Sequence, residues 1–165
     1  MNSAPANKSV FKVGVLSDTH GHLDSKILDI FKGVDHILHA GDIGLPWLIL
    51  ELEQLAPVTA VLGNNDAGLE FKETEVLELN GRKFLVHHIL NLDPAKPDDV
   101  IKRRIIRENP DVVVFGHTHK RYCETKGQTL YFNPGYAGKK RFNLKRSVAI
   151  LQCDEAGITA EFTDL

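Results

Sequence analysis

The chain has 165 residues, of which 42% are apolar and 25% charged, a composition typical of one globular domain. Its net charge of −2 (20 basic and 22 acidic residues) provides no overall positive field, which argues against nucleic acid as a partner. No apolar run approaches the roughly 20 residues that span a bilayer, and the N-terminus has no apolar signal core. We therefore expect a cytoplasmic protein with no membrane partner.

The first half of the chain alternates predicted strands and helices. Residues 1–9 are polar and are predicted to form a flexible tail, followed by a single domain over residues 10–165. Strands are predicted at 9–18, 34–42 and 57–66, and helices at 22–33 and 47–55. This βαβαβ order favours a parallel sheet.

The second half is rich in predicted hairpins. Residues 74–88 form two β-rich runs around Asn80-Gly81, and residues 120–133 form two more around Lys126-Gly127. A helix that starts near Pro97 and a buried strand at 110–119 lie between these hairpins, and a last strand pair covers 146–165. We therefore expect an α/β core completed by antiparallel strands, with two sheets flanked by helices.

Five predicted strands end in residues that commonly bind metal ions. In chain order these residues are Asp18 with His20, Asp42, Asn64, His87 with His88, and His117 with His119. Ligands of α/β sheets bind outside the carboxyl ends of the strands. Asp18, Asp42 or Asn64 alone is more often a turn or cap residue, whereas the pair His117 and His119 alone is equally compatible with a metal site and with a structural role. Their convergence at five strand ends favours a shared metal site.

The donors of this set are carboxylates, an amide oxygen and imidazoles, without thiolates. Such donors suit Mn²⁺, Fe²⁺ or Zn²⁺, with Ni²⁺ and Co²⁺ as alternatives. Seven donors exceed what one such ion takes and are about right for two ions that share a carboxylate. Paired metal ions are a recurrent device for phosphoryl hydrolysis.

The motifs as a set resemble those of the calcineurin-like metallophosphoesterase superfamily. They are SDTHG (17–21), HAGD (39–42), GNND (63–66), GHTH (116–119) and NPG (133–135). The short chain and the motif order look most like its compact bacterial and archaeal phosphodiesterase branch. The resemblance implies an α/β fold of four layers, an αββα sandwich with mixed sheets, and two divalent metal ions at one edge. We expect Mn²⁺, before other divalent ions, at both positions.

Carried over by motif position, the resemblance implies two ligand sets bridged by Asp42. One ion would be held by Asp18, His20, Asp42 and His119, and the other by Asp42, Asn64, His87 and His117. His87 is assigned because the family's strand ends in His-Gly-His and its first histidine aligns with His87. His88 then stands where glycine is usual, and Tyr136 stands where a small residue commonly follows NPG.

The implied reaction is hydrolysis of a small phosphate ester, with a phosphodiester expected before a monoester, by attack of a metal-bridging hydroxide on phosphorus. Asp66, His88 and His22 are candidates for contact with the substrate, although Asp66 is equally typical of a turn. The sequence does not identify the residue that protonates the leaving group. It also does not decide whether the protein forms a homo-oligomer.

Two alternative functions also remain open. One is a non-catalytic interaction scaffold, because a eukaryotic retromer subunit of this fold has lost several metal residues. The filled ligand positions of this chain argue against that alternative. The other is a nuclease or nucleotide-specific phosphatase, although no long basic groove is evident.

Overall fold

The computed structural model describes residues 8–96 and 99–165. The elements in chain order are β1 (Val10–Leu16), α1 (Ser25–Ile30), β2 (His36–His39), α2 (Trp47–Glu53), β3 (Val58–Ala60), β4 (Thr74–Leu79), β5 (Arg82–His87), α3 (Val100–Glu108), β6 (Val112–Val114), β7 (Tyr122–Lys126), β8 (Thr129–Asn133), β9 (Ser147–Asp154) and β10 (Gly157–Asp164). Most of the predicted tail and Pro97 lie outside the described residues. Lys8, at the end of that tail, is held by a backbone hydrogen bond to Asn80 Oδ1 of 2.7 Å.

The strands form two mixed five-stranded sheets, in the orders β10-β9-β1-β2-β3 and β4-β5-β6-β8-β7. In the first sheet β1, β2 and β3 run parallel, as the βαβαβ order predicts. In the second sheet β6 runs parallel to both β5 and β8. The three predicted hairpins are the antiparallel pairs β4-β5, β7-β8 and β9-β10.

Three apolar clusters separate four layers. Val15 of the first sheet and Val86 and Val114 of the second belong to the cluster between the sheets. The helices α1 and α2 pack on the outer face of the first sheet, and α3 packs on the outer face of the second. The predicted αββα sandwich is therefore confirmed. Within the described residues, the helices are too short and too polar to cross a membrane.

The topology brings five strand ends to one edge of the sandwich. The carboxyl ends of β1, β2 and β3 are neighbours in one sheet, and those of β5 and β6 are neighbours in the other. Hydrogen bonds join these edges. Among them, the backbone N–H of His117 donates to Asp18 Oδ2 at 3.1 Å, and His88 Nδ1 lies 2.7 Å from the Ala40 carbonyl oxygen. The candidate site therefore lies between the two sheets.

Candidate metal centre

The loops after β1 and β2 run side by side and fix the positions of their side chains. The backbone N–H of Asp18 donates to the Gly41 carbonyl oxygen at 3.0 Å, and that of His20 donates to the Asp42 carbonyl oxygen at 2.9 Å. Ser17 Oγ donates to Asp18 Oδ2 at 2.6 Å. Sequence reasoning missed this role of Ser17, whose only signal was its place directly before a predicted ligand.

Five of the candidate ligands have left-handed backbone conformations. The φ angles are 58° at Asp18, 46° at His20, 54° at Asp42, 69° at His117 and 60° at His119. Non-glycine residues seldom adopt positive φ because Cβ then crowds the following carbonyl oxygen. Such strain concentrates at functional sites, where the surrounding structure holds it in place.

One cluster of potential ligand atoms consists of Asp18, His20 and His119. The Nε2 atom of His119 lies 3.2 Å from Asp18 Oδ1, and that of His20 lies 3.9 Å from the same oxygen. Asp18 is fully buried, whereas both imidazoles are partly exposed. The carboxylate is thus fixed in the interior and the histidines face an approachable edge.

A second cluster consists of Asp18, Asp42 and His88. The Nε2 atom of His88 lies 3.3 Å from Asp42 Oδ2 and 3.1 Å from Asn64 Oδ1. His117 Nδ1 lies 3.0 Å from Asn64 Oδ1. The structure therefore brings together six of the seven ligands predicted from the sequence, with His88 in place of the seventh.

His87, the seventh predicted ligand, is not placed in this centre. Its Nδ1 atom lies 3.0 Å from the Glu73 carbonyl oxygen and 2.8 Å from Thr74 Oγ1, on the outer side of the second sheet. Burial lowers the pKa of His87, and the neighbouring Glu73 offsets part of that effect. The predicted register is thus wrong by one residue: side chains alternate along β5, and His88 shares the inner face with Val86.

Two buried atoms of the centre have no hydrogen-bond partner among the described residues. They are Asp18 Oδ1, an acceptor, and His20 Nε2. In the neutral form of His88, Nδ1 carries the proton that the Ala40 carbonyl oxygen accepts, and Nε2 then offers a lone pair at the same place. Buried polar atoms almost always have a hydrogen-bond partner. Buried atoms that lack one and can share an electron pair are therefore suited to bind cations.

Asn65 holds the carboxylate of Asp42 through two hydrogen bonds. Its backbone N–H donates to Oδ1 at 2.9 Å and its side-chain amide donates to Oδ2 at 2.8 Å. Burial alone would raise the pKa of Asp42, but these hydrogen bonds together with the neighbouring His88 and His20 outweigh burial and leave the pKa below its usual value. Sequence reasoning missed this role of Asn65, although it follows a predicted ligand directly.

Asp66 was predicted as a substrate contact, but its carboxylate binds backbone instead. Its Oδ2 accepts hydrogen bonds from the N–H groups of Gly63 and Ile43 at 2.9 and 3.1 Å, and its Oδ1 accepts one from Gly44 at 2.9 Å. Both oxygens thus fasten the loop after β3 to the loop after β2. This is the turn role that the sequence left equally open.

His22 and Tyr136 differ in burial and in contacts. His22 is half-buried on the loop after β1, and its backbone N–H donates to the Thr19 carbonyl oxygen at 3.0 Å. Its contact with substrate remains a prediction. Tyr136 is fully buried, with its ring centroid 4.7 Å from that of His119 and 6.2 Å from that of His20. The tyrosine therefore backs both imidazoles.

Two glycines leave space for the carboxylates of the centre. A Cβ atom on Gly63 would overlap Asp42 Oδ1, and one on Gly116 would overlap Ser17 Oγ and approach Asp18 Oδ2. Both positions require a residue without a side chain, because the atoms in the way are themselves fixed by hydrogen bonds.

His39 supports the loop after β1 from a fully buried position. The Gly41 N–H donates to His39 Nδ1 at 3.2 Å, so Nε2 carries the proton and faces Thr19 Oγ1 at 2.9 Å. Thr19 Oγ1 in turn donates to the Ile43 carbonyl oxygen at 2.9 Å. Burial lowers the pKa of His39 to about 3, so the ring is neutral throughout this chain of hydrogen bonds.

The buried His39 predicts a loss of stability in mild acid. The unfolded chain binds a proton at this histidine near pH 6.5 and the folded chain only near pH 3, so stability is full above pH 6.5 and falls as the pH is lowered. At pH 5 the metal-free protein should lose about 2 kcal/mol through this group. Urea unfolding at pH 7 and pH 5 measures the loss. The non-titrating His39→Gln variant should lose correspondingly less, and an equal loss in both proteins would contradict the prediction.

The chain is similar in sequence and in fold to known phosphoesterases. The sequence profile of the calcineurin-like phosphoesterase superfamily domain matches residues 11–156. Phosphodiesterase MJ0936 from Methanocaldococcus jannaschii is 32% identical over 143 residues, which cover 75% of this chain and 82% of that protein. A solved structure described as a novel archaeal phosphodiesterase is 28% identical, with a TM-score of 0.76 over 94% of this chain and all of that chain.

A eukaryotic protein shares the same fold. Vps29 from Entamoeba histolytica, solved in complex with Zn²⁺, is 21% identical and has a TM-score of 0.72, with coverage of 93% of this chain and 99% of that chain. At this identity the similarity concerns the fold alone.

Proposed function

Because the chain belongs to the calcineurin-like phosphoesterase superfamily, we propose that it is a metal-dependent phosphodiesterase with a dinuclear centre. The preferred ion is Mn²⁺, with Ni²⁺, Zn²⁺, Fe²⁺ and Co²⁺ as alternatives, and the substrate is a small phosphate ester. The observation that carries the proposal is the pair of buried, unpartnered atoms Asp18 Oδ1 and His20 Nε2 amid further acceptors.

The two proposed ligand sets share a carboxylate. Asp18, His20 and His119 with Asp42 would hold one ion, and Asp42, Asn64, His88 and His117 the other. Asp42 Oδ2 supports the bridging role, since it lies 3.7 Å from His20 Nε2 and 3.3 Å from His88 Nε2. His88 thus moves from a candidate substrate contact to a candidate ligand.

Bound there, two divalent cations would neutralise phosphate charge and lower the pKa of a bound water toward neutrality. The chain's own contribution is to hold the donors before substrate arrives. Asn65 fixes Asp42, Ser17 and the His117 backbone N–H fix Asp18, and the Ala40 carbonyl oxygen fixes the tautomer of His88. Replacement of residues that hold metal ligands in this way commonly lowers metal affinity or activity by about 10–100-fold.

Hydrolysis of bis(p-nitrophenyl) phosphate tests the proposal. Protein treated with a chelator should be inactive, and addition of Mn²⁺ should raise the release of p-nitrophenolate by at least about a hundredfold, because charge stabilisation by metal ions is worth several kcal/mol. The metal content after dialysis should approach two ions per chain.

The same assay separates the alternatives. Binding of two ions without hydrolysis of any aryl phosphodiester would contradict the proposal and favour the interaction scaffold. Faster cleavage of single-stranded DNA or RNA than of the aryl diester would favour a nuclease.

A further inference from the structure

A largely apolar pocket of about 550 Å³ adjoins the proposed metal centre. We call it the Ile89 pocket and define it by Ile89, Leu90, Leu92, Phe115, Tyr122 and His117, which line it. Leu90 and Phe115 are buried and form its fixed wall, and the Phe115 and Tyr122 ring centroids lie 5.8 Å apart. A pocket of this size and lining is typical of small-molecule sites.

Ile89 has an unusual position for an isoleucine. It directly follows His88, yet 43% of its surface is exposed. It also lines the adjacent cavity that contains Asn64 and His88, so it separates that cavity from the Ile89 pocket. The His88 carbonyl oxygen accepts a hydrogen bond from the Gly116 N–H at 3.0 Å, which holds the strand ends on either side of this position together.

His117 connects the Ile89 pocket with the metal centre. Its Nδ1 atom lies 3.0 Å from Asn64 Oδ1, and its ring centroid lies 5.4 Å from that of His88. The same residue lines the pocket. His117 is therefore common to the metal centre and the Ile89 pocket.

We propose that the Ile89 pocket binds an aromatic ester group of the phosphodiester substrate. The inference rests on the proposed function and names the class of group next to the phosphate. Apolar and aromatic walls bind a flat ring through burial of apolar surface and ring contacts, whereas a methyl group leaves most of the pocket to water. Lys120 at the rim adds a positive charge of the sign that an anionic substrate needs.

A matched pair of non-hydrolysable ligands tests the pocket. Phenylphosphonate and methylphosphonate share the phosphonate and differ only in the ring, and their carbon–phosphorus bonds are not cleaved. Calorimetric titration of the Mn²⁺-loaded protein should show tighter binding of phenylphosphonate by about tenfold or more. Competition against bis(p-nitrophenyl) phosphate hydrolysis should give the same order.

Two variants test whether the Ile89 pocket causes the difference in affinity between phenylphosphonate and methylphosphonate. Ile89→Ser and Tyr122→Ala should each weaken phenylphosphonate binding about threefold to tenfold and leave methylphosphonate binding within about twofold. The matched control is Leu50→Ser, which changes an exposed leucine on α2 that lines none of these cavities and should leave both affinities unchanged.

The outcomes distinguish the pocket from the proposed function. Equal affinities for the two phosphonates, binding of neither, or equal losses of both in Ile89→Ser would overturn the pocket assignment. A protein that hydrolyses the aryl diester yet binds both phosphonates equally keeps the proposed function without the pocket. Preferential binding of phenylphosphonate without any hydrolysis keeps the pocket and removes the function.

Discussion

Replacement of His88 by alanine is expected to remove one of the two bound cations and to lower turnover by roughly a hundredfold or more. The reason is that its Nε2 atom lies 3.3 Å from Asp42 Oδ2 and 3.1 Å from Asn64 Oδ1, the two oxygens proposed to hold the same cation. Loss of one cation removes charge stabilisation worth several kcal/mol. Metal analysis after dialysis and steady-state hydrolysis of bis(p-nitrophenyl) phosphate measure both effects.

The neighbouring histidine provides the matched control. His87→Ala removes hydrogen bonds to Glu73 and Thr74 on the outer side of the sheet, so we expect a stability loss of about 1 kcal/mol with both cations retained. Urea unfolding of the metal-free protein measures that loss. If His87→Ala loses a cation and His88→Ala keeps both, the placement of the two imidazoles described above is wrong.

Asp42→Asn is expected to have the largest effect of any single isosteric change. The variant removes a negative charge that lies between His20 and His88. It also replaces one carboxylate oxygen by an NH2 group, which can face the side-chain NH2 group of Asn65 where a hydrogen-bond acceptor is needed. We expect at most one cation per chain and a loss of turnover of at least about a thousandfold, from combined loss of a bridging ligand and of charge stabilisation.

Asp35→Asn is the control for this change. Asp35 is also a carboxylate that accepts a backbone hydrogen bond, from Lys12 at 2.9 Å, but it lies away from the metal centre. We expect this variant to retain both cations and full turnover, with a small loss of stability. Full activity with two bound cations in Asp42→Asn would refute the bridging role.

The sequence was sufficient to predict where the site lies. Parallel strands align their carboxyl ends, so the polar residues after β1, β2 and β3 had to meet at one edge. The hairpin turn at Asn80-Gly81 was equally readable, because both residues adopt positive φ and this pair is suited to it. These features depend on local chemistry and on topology, both of which the sequence carries directly.

The choice between His87 and His88 could not be made in the same way. Alternation along β5 assigns Val86 and His88 to one face and Leu85 and His87 to the other. Both faces are apolar, since Val86 packs between the sheets and Leu85 packs toward α3. A strand buried on both sides has no polar face to mark its orientation, so alignment to a motif decided the matter and was off by one.

Long-range support was also beyond the sequence. The hydrogen bond between Thr19 and His39 joins residues of adjacent strand ends, and the one from the His117 N–H to Asp18 spans almost one hundred residues of chain. Nothing in the residue types indicates these pairings. The first depends on the course of the loop after β1, and the second depends on how closely the two sheets approach.

The left-handed backbone at five candidate ligands has a consequence for thermostability engineering. Glycine at Asp18, His20, Asp42, His117 or His119 would relieve about 1 kcal/mol of backbone strain at each site. The hydrogen bonds of the Asp18 and Asp42 carboxylates offset that relief, but the buried Nε2 atom of His20 has no hydrogen-bond partner among the described residues. A screen for higher melting temperature in the absence of metal would therefore enrich glycine or asparagine at His20 and discard this donor. Selection for rigidity and selection for turnover oppose each other there, so a stabilised variant of this chain has to be sought at positions outside this edge.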